Sequence, residues 1–163
     1  MRNFKSPWQV MLLSLCLFAT AVNAQSTSGA NVQSRERISI DDNWRFALGH
    51  ATDVSKDFNH GTGYFSYLAK TGFGDGPAAA NFYDRSWRNV SIPHDWAVEM
   101  PFDPSGSHSH GYKAVGPNFP QHSVGWYRHH FNVPQSDLGR RIRVEFDGIQ
   151  RSSRVFINGF LVG

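Results

Sequence analysis

Eight histidines and a handful of carboxylates are the residues of this 163-residue chain best suited to chemistry, and their spacing limits what that chemistry is. His108-Ser109-His110 comes nearest to a metal-ligand pair, because residues two apart on an extended strand share a face. No second fixed pair and no nearby cysteine accompany it, and His129-His130 must point to opposite sides of their strand. They read as loop and surface histidines, so no metal and no cofactor is expected. The serines lack a Gly-x-Ser-x-Gly elbow, the sharp turn that presents a strained nucleophile. Cleavage of a sugar acetal needs two carboxyl groups flanking the bond. The glutamates here are Glu36, Glu99 and Glu145, and Glu145 shares the polar face of its strand with Arg141 and Arg143, as a solvated cross-strand partner does. No residue of this chain is assigned a catalytic role.

The elements that would position such residues are short. Ile38-Ser39-Ile40 alternates, Asp41-Asp42-Asn43 turns, and Trp44-Arg45-Phe46-Ala47-Leu48 alternates again with Trp44, Phe46 and Leu48 on one face, the pattern of half-buried strands. Periodicity dissolves from Gly49 to Arg85. Trp87 to Ile92 resumes a strand and stops at Pro93, which removes a ladder donor. A second irregular region runs from Pro93 to Ser123. Gly125 to Val133 reads as a strand ending at Pro134, and Arg141 to Phe146 as another with Ile142, Val144 and Phe146 inward. Val155-Phe156-Ile157-Asn158-Gly159-Phe160-Leu161-Val162 reads as a hairpin, since Asn-Gly suits the positive φ values of a type I′ turn. Its returning strand is short, so the chain is expected to be the front end of something longer, and Phe160 and Val162 to lack sheet partners. The fold class is all-β, a sandwich or jelly roll incomplete at its C-terminus.

At the other end, Arg2 and Lys5 precede an apolar run from Val10 to Ala21 that closes on Val22-Asn23-Ala24. That is the pattern of a secretory signal peptide over residues 1–24, with an apolar core shorter than the roughly twenty residues that span a bilayer. It predicts a periplasmic or secreted protein with no membrane attachment after cleavage. The single cysteine, Cys16, falls inside this segment, so the mature chain must rely on an apolar core rather than disulfides. Residues 25–34 are rich in Ser, Gln and Asn and read as a flexible leader, and residues 35–163 as one β-sandwich domain. Losing Arg2 and Lys5 takes the sixteen basic residues to fourteen against thirteen acidic ones, a net of +1. That balance supplies no field for nucleic acid.

Four ordered motifs carry more. Ile40-Asp41-Asp42-Asn43-Trp44-Arg45-Phe46, then Asp84 to Ile92 with Pro93-His94-Asp95-Trp96, then Gly125-Trp126-Tyr127-Arg128, then Phe146-Asp147-Gly148 with Val155-Phe156-Ile157-Asn158-Gly159 together resemble the N-terminal domain of glycoside hydrolase family 2, the β-galactosidase, β-mannosidase and β-glucuronidase family. The resemblance covers residues 38–163 and, within the family, is nearest to secreted β-galactosidases. It implies a galactose-binding-like jelly roll, followed in the parent protein by an immunoglobulin-like sandwich and a (β/α)8 barrel that holds the catalytic glutamates. The partners it implies are a galactoside substrate and the downstream domains of the same chain. The piece by itself is expected to be inactive. A stand-alone carbohydrate-binding module and a cell-surface interaction domain are the alternative readings.

The loop from Pro93 to Ser123 suits sugar recognition, which uses aromatic platforms against C–H faces and amides or carboxylates on hydroxyls. It offers Trp96, Phe102, Tyr112, Phe119, His94, Gln121, Asp95, His110 and Asn118. The aromatics serve equally well to pin the loop to the domain. By the resemblance, the stretch before Gly125 can reach a sugar subsite. Asn118 is the first choice for that contact, with Asp95 and His110 as further substrate-binding candidates.

Overall fold

Trp44-Arg45-Phe46-Ala47-Leu48 forms the central strand of the structure, a computed structural model that describes residues 35–60, 72, 74–150 and 152–163, with the side chain of His110 excepted. The expected signal peptide (1–24) and leader (25–34) lie outside the described residues, as does part of the irregular stretch after Gly49. The chain divides into Met1–Arg37 and Ile38–Gly163. Of the first unit, the described residues 35–37 are exposed and have no regular secondary structure.

Within the second unit the strands are β1 (Trp44–Leu48), β2 (Arg88–Val90), β3 (Phe102–Ser107), β4 (Gly125–Arg128), β5 (Phe156–Ile157) and β6 (Phe160–Leu161). A three-stranded antiparallel sheet has the order β2-β1-β4, with Phe46 opposite both Arg88 and Tyr127. β5 and β6 form the expected hairpin, and Asn158 (φ 50°) and Gly159 (φ 86°) supply its turn; contrary to expectation Phe160 has a partner in Ile157, and the Val162 amide donates to the Val155 carbonyl. The helical segments among the described residues are 3-10 turns of three or four residues, and none is long and apolar enough to cross a membrane. The fold is all-β.

Phe46, Ala78, Trp87, Ala114 and Val115 are buried apolar residues among those described. Trp87 closes a ring cluster with Phe58 and Phe82, at centroid distances of 5.0 and 5.5 Å. Asp84, buried beside it, accepts from Arg128 Nε at 2.9 Å and from His130 Nε2 at 2.8 Å. Arg128 also donates from Nη1 to the carbonyls of Pro77 and Ala79, so one guanidinium ties β4 to the chain entering β2. The fully buried Asp57 accepts from Trp126 Nε1 at 2.7 Å and from the His50 amide at 3.1 Å.

Four strand expectations are corrected. Residues 38–40 join no ladder, and Ile38 is exposed. β4 ends at Arg128 rather than Val133, because its partner β1 begins at Trp44, just after Asn43 turns the backbone left-handed (φ 64°). Residues 141–146 have no ladder partner among the described residues, and Ile142 and Phe146 face solvent rather than inward. The region from Pro93 to Ser123 holds β3 and three 3-10 turns instead of being irregular throughout. On β1 itself only Phe46 is buried, while Trp44 is half-buried and Leu48 exposed.

Gly125 shows why the Gly-Trp-Tyr-Arg strand opens on glycine. A Cβ there would lie 2.6 Å from Trp96 Nε1 and 3.2 Å from Phe46 Cε2, so the indole of Trp96 occupies the space a side chain would need. Gly125→Ala is expected to displace the Trp96 turn and to destabilise by about 1 to 3 kcal/mol, the usual cost of overpacking. A lower urea midpoint with unchanged slope would show it.

Candidate functional site

The stretch Pro93–Ser123 builds two polar constellations. The first is the turn after β2. Asp95 caps the 3-10 turn Trp96–Glu99, its Oδ1 accepting from the Ala97 amide at 2.9 Å, the ordinary duty of a carboxylate at a helix start. Glu99 ion-pairs with Arg88 at 2.6 Å. That hydrogen bond outweighs partial desolvation and holds the Glu99 carboxyl below the usual glutamate range, helped by His94. Tyr127 is pushed up to about 12 by burial and by the nearby charges of Asp95 and Glu99, so its phenol stays protonated and donates to the His94 carbonyl.

The second constellation is a cleft of about 220 Å³ between the end of β3 and the following loop. Gly106 lets β3 approach the returning chain closely, because a Cβ there would lie 2.6 Å from the carbonyl oxygens of Tyr112 and Lys113. Lys113 is occupied elsewhere, its Nζ donating to the carbonyls of Val98 and Met100 and lying 4.4 Å from the Phe102 ring. Beyond the buried Ala114 and Val115, a turn closed by the Phe119 amide on the Gly116 carbonyl at 2.9 Å lifts Asn118 to its corner. Ser105, Ser107, Ser109, Val115, Asn118 and Phe119 are among the residues that line the cleft. Ser105 donates its hydroxyl to Asp103 at 2.7 Å, which leaves oxygen lone pairs to accept. The Ser107 and Ser109 hydroxyls lie 2.7 Å apart.

Among the described residues, none that lines this cleft carries a charge. Neutral hydroxyls, one amide and one aromatic ring match an uncharged polyhydroxylated ligand, whose hydroxyls exchange hydrogen bonds with such groups while a C–H face rests on the ring. The volume is below the roughly 300 Å³ at which pockets for drug-sized ligands begin, which suits a single ring.

Of the sequence-derived candidates, the structure places Asn118 in this cleft and Asp95 outside it, at the Trp96 turn. His110 ends the 3-10 turn His108–His110, and its side chain lies outside the described residues. That turn also removes the face-sharing geometry a metal pair would need, because residues two apart do not align on a 3-10 turn. The His108 ring packs instead on Tyr112 at 4.7 Å. Among the described residues no group of three or more His, Cys, Asp or Glu is arranged to hold a metal. The serines went unnoticed in the sequence, although Ser105-Gly106-Ser107-His108-Ser109 alternates visibly and would put three hydroxyls on one side of an extended chain.

The chain is 33% identical over 137 residues to the Bacteroides ovatus protein named beta-galactosidase BoGH2A, covering 84% of this chain and 13% of that protein. It is 26% identical over 153 residues to a putative beta-glucuronidase of Formosa agariphila, covering 94% and 11%, and 25% identical over 150 residues to a beta-galactosidase of Vibrio cholerae, covering 90% and 12%. These relatives are glycosidases. The chain spans only about an eighth of their length. No protein-family model matches it.

Proposed function

We propose that this chain is the N-terminal, non-catalytic jelly-roll domain of a secreted retaining glycoside hydrolase of family 2, most like a β-galactosidase, reached through a signal peptide at residues 1–24. The observation that carries the reading is the alignment of 84% of the chain with 13% of a protein named beta-galactosidase, the relation of one domain to a much larger enzyme. The relatives include names for neutral and for acidic sugar substrates, and the uncharged lining around Asn118 favours the neutral one. A glucuronide carboxylate would ask for an Arg or Lys in that wall. In this reading the domain packs on the catalytic part of its own chain, lends the Asn118 loop to the sugar subsite and supplies no acid or nucleophile. Glu99, the one glutamate near the loop, is committed to Arg88.

The test is kinetic, in the intact enzyme. Asn118→Ala is expected to lower kcat/KM on an aryl β-galactoside by about 1 to 3 kcal/mol of transition-state binding, the range for leaving a polar partner unsatisfied. Thermal stability should hardly change, because Asn118 is an exposed turn corner. Unchanged kcat/KM would remove Asn118 from the substrate pocket. Galactose binding by residues 35–163 alone, without a larger enzyme around them, would instead favour a free-standing carbohydrate-binding module.

A further inference from the structure

His94 stands where β2, β4 and the Trp96 turn meet, with hydrogen-bond partners at both ring nitrogens. The imidazole is 11% exposed and packs edge-on against Phe46 at 4.8 Å. Nε2 lies 2.9 Å from Arg88 Nη2 and 3.2 Å from Glu99 Oε1. Nδ1 lies 2.7 Å from the Tyr127 hydroxyl, which is in turn 3.3 Å from the carbonyl of His94 itself. A guanidinium has donors and no acceptor, so the ring nitrogen 2.9 Å from it presents a lone pair. The ring hydrogen is then on Nδ1 and is donated to Tyr127 Oη, and the phenol hydrogen goes to the His94 carbonyl. In this neutral Nδ1–H form no donor faces a donor, Arg88 serves His94 and Glu99 with the same Nη2, and the lone pairs of Nε2 and Glu99 Oε1 face each other at 3.2 Å.

A proton added at Nε2 reverses the local order. The new N–H opposes Arg88 and attracts the Glu99 carboxylate. We infer that His94 is a proton-operated switch: neutral, it is held by Arg88; protonated, it releases Arg88 and donates to Glu99. The charged and titratable groups facing it are Arg88 from β2, Glu99 from the turn and Tyr127 from β4, with the Asp95 carboxylate acting on Tyr127 from the turn's cap. Arg88 and Glu99 have side chains about half exposed, at 50% and 44%, so both have room to move while the ring stays packed. The exchange acts on the turn Trp96–Glu99. Lys113 holds the Val98 and Met100 carbonyls of that same segment, so the proton state of His94 reaches the foot of the loop bearing the Asn118 cleft. The inference rests on hydrogen-bond geometry alone and stands whether or not the glycosidase reading holds.

The test compares crystal structures of the intact protein at pH 8 and pH 5, with ¹⁵N-histidine spectra assigned by the His94→Gln variant. At pH 8 the hydrogen is expected on Nδ1, and Arg88 Nη2 within about 3.1 Å of Nε2. At pH 5 that separation is expected to exceed about 3.5 Å, while Nε2 to Glu99 Oε1 shortens to about 2.8 Å. His94→Gln should show no pH-dependent movement of Arg88. A hydrogen on Nε2 at pH 8, or the same Arg88 contact at both pH values, overturns the inference.

Discussion

Arg128→Ala is expected to destabilise the domain by about 3 to 5 kcal/mol, the cost of removing one member of a buried ion pair. Arg128 and Asp84 have side chains only 11% and 10% exposed, and Arg128 also satisfies the carbonyls of Pro77 and Ala79. Alanine therefore leaves the Asp84 carboxylate with only the exposed His130 ring and strands two backbone acceptors. Arg128→Lys should recover only part of the loss, since a single ammonium cannot match the spacing of three acceptors served by a planar fork. Replacing both partners with apolar residues, Asp84→Leu with Arg128→Met, should do better than Arg128→Ala alone. Urea denaturation followed by circular dichroism orders the four proteins, and an Arg128→Ala midpoint equal to wild type would show the pair to be dispensable.

The same pair predicts acid sensitivity with a definite sign. Burial pushes the Asp84 carboxyl up, but hydrogen bonds and charge from His130 and Arg128 outweigh it and hold the group below the usual aspartate value of 3.8. A group whose folded pKa is depressed binds its proton more readily when unfolded. Its stabilisation is therefore fully present above about pH 4 and is lost as pH falls through the folded value. Asp84→Asn should flatten the wild-type decline of stability below that pH. An unaltered acid limb would assign the decline to other carboxylates.

Trp87→Ala is the second large effect, at about 3 to 5 kcal/mol for a buried aromatic truncation. Trp87 is 7% exposed and fills the space between Phe58 and Phe82, while Phe82 also carries the Arg128 guanidinium at 5.4 Å. The loss should therefore couple to Arg128→Ala, and the double variant should cost less than the two single losses added. Trp44→Ala makes the useful comparison. Trp44 lies on the neighbouring strand but is only half-buried, with its Nε1 on the Ile40 carbonyl and its ring 5.0 Å from His129. Its truncation should cost visibly less than that of Trp87, and equal costs would mean that burial misplaces the core.

Some of this protein was decided by sequence alone. The all-β class follows from short alternating segments, β1 from Trp44 to Leu48, and the Asn158-Gly159 hairpin from the positive φ its turn requires. These are local properties, set within a few residues by sterics and side-chain alternation. The loop bearing the candidate site was also legible, as a run of prolines and glycines with sugar-compatible side chains between two strands.

Tertiary structure decided the rest. Residues 141–146 alternate as cleanly as β1 but find no ladder partner among the described residues, and alternation cannot reveal whether a partner is present. Asp95, Glu99 and Asn118 are all polar residues of the Pro93–Ser123 stretch, and sequence does not fix what each one meets. Folding makes Asp95 a cap, pairs Glu99 with a strand arginine and puts Asn118 in a cleft with three serines. Which apolar residue of a strand becomes core was likewise settled by packing: Phe46 is covered and Leu48, on the same face, is not. The physical reason is common to all these cases. Propensity and periodicity act over neighbouring residues, whereas pairing, burial and the company a polar side chain keeps depend on contacts between residues tens of positions apart.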